Sequence, residues 1–107
     1  MQRGDLITVA LQGDAGKPRP ALVIQADHFA DLPTLVVLPL TSTLLDLPLV
    51  RVTVEPGAAT GLQQRSQVMI SRPQFLPRAK AGSVIGHIDA TTLLEVTRRL
   101  AVLLGIG

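Results

Sequence analysis

Apolar and polar positions alternate in short runs from Leu6 to Ile88, and each run ends near a glycine, a proline or a cluster of small polar residues. After Asp89 the period changes. The period-two runs predict strands over Leu6–Leu11, Ala21–Ala26, Thr34–Leu40 and Leu49–Val54. Two shorter strands are predicted near Ser66–Ile70 and Gln74–Pro77, and a last one over Gly82–Ile88. Thr34–Leu40 is apolar almost throughout and reads as a central strand, with Pro39 expected to break its ladder. In Leu49–Val54 the valines alternate against Leu49, Arg51 and Thr53, the pattern of a half-buried strand. Gln12–Pro18 reads as a mobile loop, and Gly4 as a turn. Beyond Asp89, Leu93, Val96, Leu100, Leu103 and Leu104 recur at intervals of three and four. This predicts a helix with Asp89 as N-cap and Gly105 as its stop. Burying each leucine stabilises by roughly 1.5–3 kcal/mol. The Glu95/Arg99 pair adds only a few tenths of a kcal/mol, so the helix is expected to act as a stabilising lid. Short strands joined by Gly- and Pro-containing loops, with one terminal helix, predict a mainly β (α+β) chain: a small antiparallel β-barrel with a C-terminal helix, one domain over residues 1–107.

Composition narrows what such a barrel can do. Apolar residues make up 47% and the mean hydropathy is +0.39, which excludes disorder. No apolar run approaches the roughly 18 residues of a membrane helix, and the start lacks a signal-type apolar segment. A cytoplasmic protein without membrane contact is expected. The absence of cysteine excludes disulfides, thiolate zinc sites and cysteine nucleophiles. His28 and His87 stand far apart without a carboxylate cluster at ligand spacing, so neither a metal nor a cofactor is expected. The formal charge is only +2, but eight of the ten bases are arginines, the side chain suited to bidentate phosphate contacts. Tyr and Trp are absent and Phe29 and Phe75 are the only aromatics. A base-stacking platform cannot be built from them, so any RNA contact rests on arginine and backbone. The high apolar content leaves surface to cover, which predicts a homodimer.

The most informative stretch is Gly16-Lys17-Pro18-Arg19-Pro20-Ala21-Leu22-Val23-Ile24. Prolines restrict the backbone on both sides of Arg19. A planar guanidinium held this way suits two-point contact with an oxyanion such as phosphate. A solvated charge where a loop meets an edge strand is the structural alternative. Thr41-Ser42-Thr43 sets three hydroxyls at a strand end, which on the residues alone reads first as a turn and second as a phosphate contact. Arg65, Arg72, Arg78 and Lys80 gather in a loop-rich half of the chain and read either as a phosphate-tracking surface or as solvated charge.

Three segments together carry a resemblance: Arg3-Gly4-Asp5-Leu6-Ile7-Thr8-Val9, Gly16 through Ile24, and Leu38-Pro39-Leu40-Thr41-Ser42. They resemble the MazF/PemK family of toxin endoribonucleases. Gly61-Leu62, Ser66-Gln67-Val68-Met69-Ile70 and Gly82 through Gly105 follow the family's order, so the resemblance covers essentially the whole chain. It implies an SH3-like barrel, a homodimer, metal-independent cleavage of single-stranded RNA at short sequences, and inhibition by an antitoxin whose acidic tail covers the site. The family's catalytic arginine and threonine match Arg19 and Thr41, with Ser42 beside the latter. Lys17, Ser71, Arg72 and Arg78 are the expected RNA-binding positions.

One departure stands out. Many members carry Asp followed by Gln or Lys where this chain has Ser71-Arg72. It motivates one alternative, a catalytically weakened member; a separate one is a CcdB-like inhibitor of DNA gyrase built on the same fold. The end of the chain, Leu103-Leu104-Gly105-Ile106-Gly107, offers no aromatic anchor for the latter.

Overall fold

Gly4 turns the chain into its first strand. It takes φ 95°, a backbone conformation that suits glycine, while its N–H donates to the Val23 carbonyl at 2.8 Å. In the computed structural model, which describes residues 1–10 and 17–106, seven strands and one helix follow. The strands are β1 (Asp5–Val9), β2 (Arg19–Val23), β3 (Thr34–Thr41), β4 (Arg51–Val54), β5 (Ser66–Met69), β6 (Gln74–Pro77) and β7 (Val84–His87), and the helix is α1 (Ala90–Leu104). Single 3-10 turns occupy Asp27–Phe29 and Arg78–Lys80. Leu11 and residues 12–16 of the loop expected at Gln12–Pro18 lie outside the described residues.

Every strand pairing is antiparallel. The sheet runs β4-β5-β3-β2-β1-β7, and β6 pairs with the first half of β3. It curls into a half-barrel whose end strands, β4 and β7, are bridged by the segment Gly57–Leu62. In that segment the Ala59 carbonyl accepts the His87 N–H at 2.9 Å.

The expected break at Pro39 is a change of partner. On one edge of β3 the β6 ladder ends at Val37↔Gln74 and Leu40 and Thr41 pair with Val68 and Gln67 of β5, while β2 pairs along the other edge as far as Ala21↔Pro39. A residue without an N–H fits where one ladder stops and another starts. The strand itself continues through Thr41, beyond the predicted end at Leu40. The second strand begins earlier than predicted, at Arg19, because Val9 of β1 is there to pair with it.

The three central strands are buried on both faces. Leu6, Leu22 and Leu38 face one apolar cluster with Val52, Val68, Ile70 and Val96. Ile7, Val9, Ala21, Val23 and Val37 face a second one with Leu35 and Leu76. Arg3 secures this arrangement at the start of the chain: its Nε donates to the Ile24 carbonyl at 3.0 Å and its Nη2 to Thr97 Oγ1 at 2.7 Å.

The helix begins and ends where the sequence predicts. Asp89 Oδ1 accepts the Thr92 N–H at 2.6 Å, and Gly105 takes φ 74° while the Ile106 N–H closes onto the Ala101 carbonyl at 2.9 Å. The Glu95–Arg99 ion pair forms at 2.6 Å. The lid is shorter than its leucine stripe, however. Val96 is fully buried, and Leu93 and Leu100 pack against the core, but Leu103 and Leu104 are 44% and 58% exposed. The helix packs over β4, the end strand of the order, so no further strand lies beyond it to receive the last turn.

The hydrogen bond from the Thr92 N–H holds the Asp89 carboxyl below its ordinary value. A depressed folded-state value means that the charged cap stabilises fully above the unfolded carboxyl value of about 3.9. That stabilisation fades as pH falls through the lower folded-state value. Asp89→Ala is therefore expected to melt earlier than wild type at neutral pH, with the gap closing below about pH 4 in thermal melts followed by circular dichroism.

Candidate active site

Register brings the two principal candidates together. The paired positions Ala21↔Pro39, Leu22↔Leu38 and Val23↔Val37 set a count that, continued two residues past the ladder's end, places Arg19 across from Thr41. An open groove of about 670 Å³ lies over this point. Pro18, Arg19 and Pro20 form one side, and Thr41, Ser42 and Thr43 form the corner beside it. The opposite wall is the segment Gly61–Gln64 with Ser66, Met69, Arg72 and Gln74.

Arg19 is exposed, and its side chain makes no hydrogen bond among the described residues. Thr41 is half-buried, and its Oγ1 accepts the Thr43 N–H at 3.1 Å. With one lone pair of that oxygen occupied, the hydroxyl proton is left to be donated into the groove. Among the described residues, no carboxylate and no histidine lines it. Two guanidiniums, Arg19 and Arg72, with five hydroxyls and three amides make the groove a receptor for anionic, hydrogen-bonding ligands. No three His, Asp or Glu side chains among the described residues gather as a metal-binding group.

The far wall is held by backbone contact. Gly61 takes φ +70°, and a Cβ there would stand 2.0 Å from the Ile85 carbonyl oxygen; at Gly86 a Cβ would stand 2.3 Å from the Thr60 carbonyl carbon. The two glycines let Gly57–Leu62 lie directly on β7, which fixes where Gln63 and Gln64 enter the groove.

The remaining candidates are distributed unevenly. Arg72 reaches the groove, whereas Ser71 sits exposed in the turn after β5 and does not line it. Lys17 is exposed beside Pro18, outside the lining. Arg78 lies away from the groove and is engaged elsewhere, its Nε donating to the Leu32 carbonyl at 2.9 Å and its backbone N–H to the Pro33 carbonyl at 2.7 Å. Arg65 pairs with Glu55 at 2.8 Å. Of the basic cluster seen in the sequence, only Arg72 therefore faces the groove. Gln63, Gln64, Met69 and Gln74 carry no signal in the sequence, because nothing in their spacing distinguishes a groove wall from a solvated loop.

The family described as "PemK-like, MazF-like toxin of type II toxin-antitoxin system" matches residues 2–104. The chain belongs to this family. A Mycolicibacterium smegmatis protein named "Probable endoribonuclease MazF" is 40% identical over 100% of this chain and 99% of its own length. Among solved structures, a chain of the MazE-MazF crystal structure from Deinococcus radiodurans (Form-II) superposes with a TM-score of 0.80 at 26% identity, covering 100% of this chain and 97% of its own. Mycobacterium tuberculosis toxin MazF-mt6 superposes with a TM-score of 0.81 at 24% identity, covering 96% and 98%. In this PemK/MazF-like toxin, the Ser71-Arg72 departure thus places a guanidinium, and no carboxylate, at that edge of the groove.

Proposed function

We propose that this toxin is an endoribonuclease that cleaves single-stranded RNA at short sequences, with Arg19, Thr41 and Ser42 as the catalytic residues and no metal in the step. The observation that carries the proposal is the β2–β3 register, which aims a guanidinium and a hydroxyl donor at one point of a cationic groove. The 40% identical relative named as an endoribonuclease supports the same reading.

The chemistry follows from those groups. The ribose 2′-oxygen attacks the adjacent phosphorus and loses its proton to water in the open groove. The bond from phosphorus to the 5′-oxygen breaks, and that oxygen takes up a proton. The products are a 2′,3′-cyclic phosphate and a 5′-hydroxyl. Negative charge grows on the non-bridging oxygens as the phosphorane forms. The Arg19 guanidinium stabilises it. The Thr41 and Ser42 hydroxyls donate to one of those oxygens, and Arg72 binds a neighbouring phosphate. Lys17, Ser71 and Arg78 would contact RNA only along a path extending beyond the groove.

We further propose that the toxin acts in the cytoplasm as a homodimer and is held inactive by an antitoxin with an acidic tail. A cationic groove suits such a tail, and the Deinococcus relative is a MazE-MazF complex. Leu44, Leu45, Leu47 and Leu49 are exposed, as are Leu103, Leu104 and Ile106. Arg99 donates to the Pro48 carbonyl and so ties the leucine loop to the helix, and exposed apolar side chains on both elements are what a second copy can cover. Among the described residues, no helix is long and apolar enough to cross a membrane.

Primer extension on a long RNA, with excess chelator, tests the reaction. Cutting is expected to persist, and Thr41→Val is expected to lower its rate about ten- to a hundredfold by removing one hydrogen bond to charge. Cleavage that stops with chelator and returns with magnesium would overturn the metal-free step. Inhibition of supercoiling without RNA cleavage would favour the gyrase reading instead.

A further inference from the structure

The hydroxyl corner of the groove leads into residues 42–50, a connection with no strand or helix of its own. Such a connection does not by itself hold a hydroxyl in one orientation. Two side chains from neighbouring strands hold it. Arg51, the first residue of β4, donates from Nη1 to the Thr43 carbonyl at 3.1 Å and to Gln67 Oε1 at 2.8 Å. Gln67 stands across from Thr41 in the β3–β5 ladder. Its Oε1 also accepts the Leu45 N–H at 3.0 Å, and its Nε2 donates to the Leu45 carbonyl at 3.0 Å. Leu45 is thus clamped at both its backbone polar groups, and Thr43 is tied at its carbonyl. The Thr43 N–H then donates to Thr41 Oγ1, which completes a chain of hydrogen bonds from Arg51 to the groove.

We propose that Arg51 and Gln67 are positioning residues that aim the Thr41 hydroxyl at the phosphate undergoing attack; the inference rests on the nuclease reading. Neither side chain lines the groove. Both border a second cavity of about 310 Å³ behind the 45–48 segment, so they reach the reacting atoms only through Thr43. Gln67 is 7% exposed, and its hydrogen bonds lie in a low-dielectric setting where a missing partner is costly. The Thr41 oxygen accepts from Thr43, and this leaves its proton to point outward. Removing the Arg51 guanidinium frees the Thr43 carbonyl and leaves the Gln67 oxygen with one donor instead of two. The segment can then drift and the Thr41 hydroxyl can rotate away. Displacement of a reacting group by about 1 Å can cost as much as a hundredfold in rate.

The test uses the whole protein and a short RNA carrying one cleavage site. Arg51→Met keeps the apolar stem and is expected to lower kcat about ten- to a hundredfold while KM stays close to wild type. Arg51→Lys, which restores a single donor, is expected to recover part of the loss. In wild-type protein without RNA, the Thr43 amide is expected to exchange with solvent more slowly than an unprotected peptide amide, and in folded Arg51→Met that protection is expected to fall. Wild-type kcat in a folded Arg51→Met protein, or a loss confined to KM, would overturn the inference. So would unprotected exchange of the Thr43 amide in wild type, a measurement that stands even if the variant fails to fold. Failure of wild type to cleave any RNA would instead overturn the nuclease reading.

Discussion

Arg19→Ala is expected to lower the rate of RNA cleavage by about a hundred- to a thousandfold, the usual loss when one preorganised donor to a developing oxyanion is removed. Its folding should hardly change. Arg19 is exposed and forms no side-chain hydrogen bond among the described residues, so the expected stability change is within about 0.5 kcal/mol. Fold and activity are therefore separable at this position, and circular dichroism with primer extension reads both. Arg19→Lys keeps the charge but loses the planar fork that spans two phosphate oxygens, and it should fall between the two. Full-rate cutting by Arg19→Ala would remove the arginine from the mechanism whatever the groove looks like.

Gly61→Ala is expected to act from the opposite wall, through stability. Two costs add there. The left-handed φ costs a residue with a Cβ roughly 1 kcal/mol, and the Cβ would stand 2.0 Å from the Ile85 carbonyl oxygen. That neighbour is strand backbone and cannot rotate away, so the total should reach about 3 kcal/mol. For a chain of this size this lowers the melting temperature by roughly 12 °C or more. Gly105→Ala is the control, because Gly105 has a similar φ of +74° with nothing within 4 Å of the added carbon. Only the strain applies to it. If both variants melted together, the close approach of Gly57–Leu62 to β7 would not be what closes the half-barrel. At temperatures where Gly61→Ala is still folded, RNA cleavage should also drop, since the segment it displaces carries Gln63 and Gln64 into the groove.

The two faces of the groove differ in how legible they are in the chain. Pro18-Arg19-Pro20 and Thr41-Ser42-Thr43 are local patterns, restricted backbone around one charge and hydroxyls at a strand end. Both can be read directly from neighbouring residues. The third strand reads as central because apolar side chains on both faces leave no alternation. The helix limits are equally legible in Asp89 and Gly105, since capping is a local matter of one side chain and one φ angle. Arg78 misleads because a basic residue in a loop looks the same whether solvent, RNA or a carbonyl such as that of Leu32 receives its hydrogen bond. Leu103 and Leu104 mislead for a related reason. Helical spacing says which residues share a face and nothing about how far the partner surface extends.

The sequence by itself determined the strands, the capped helix and the family and marked Arg19 and Thr41 as candidates, because these depend on periodicity, on proline and glycine conformation, and on motifs short enough to be contiguous; the β2–β3 register then set the two candidates across from each other. Tertiary structure decided which other residues join that pair. Arg72 enters the groove while Ser71 and Arg78 do not, Gly61 and Gly86 seat the far wall by backbone contact, and Arg51 with Gln67 holds the corner that carries Thr41. Each of these depends on contacts between segments distant in the chain. The register and curl of the assembled sheet create such contacts, and no local pattern encodes them.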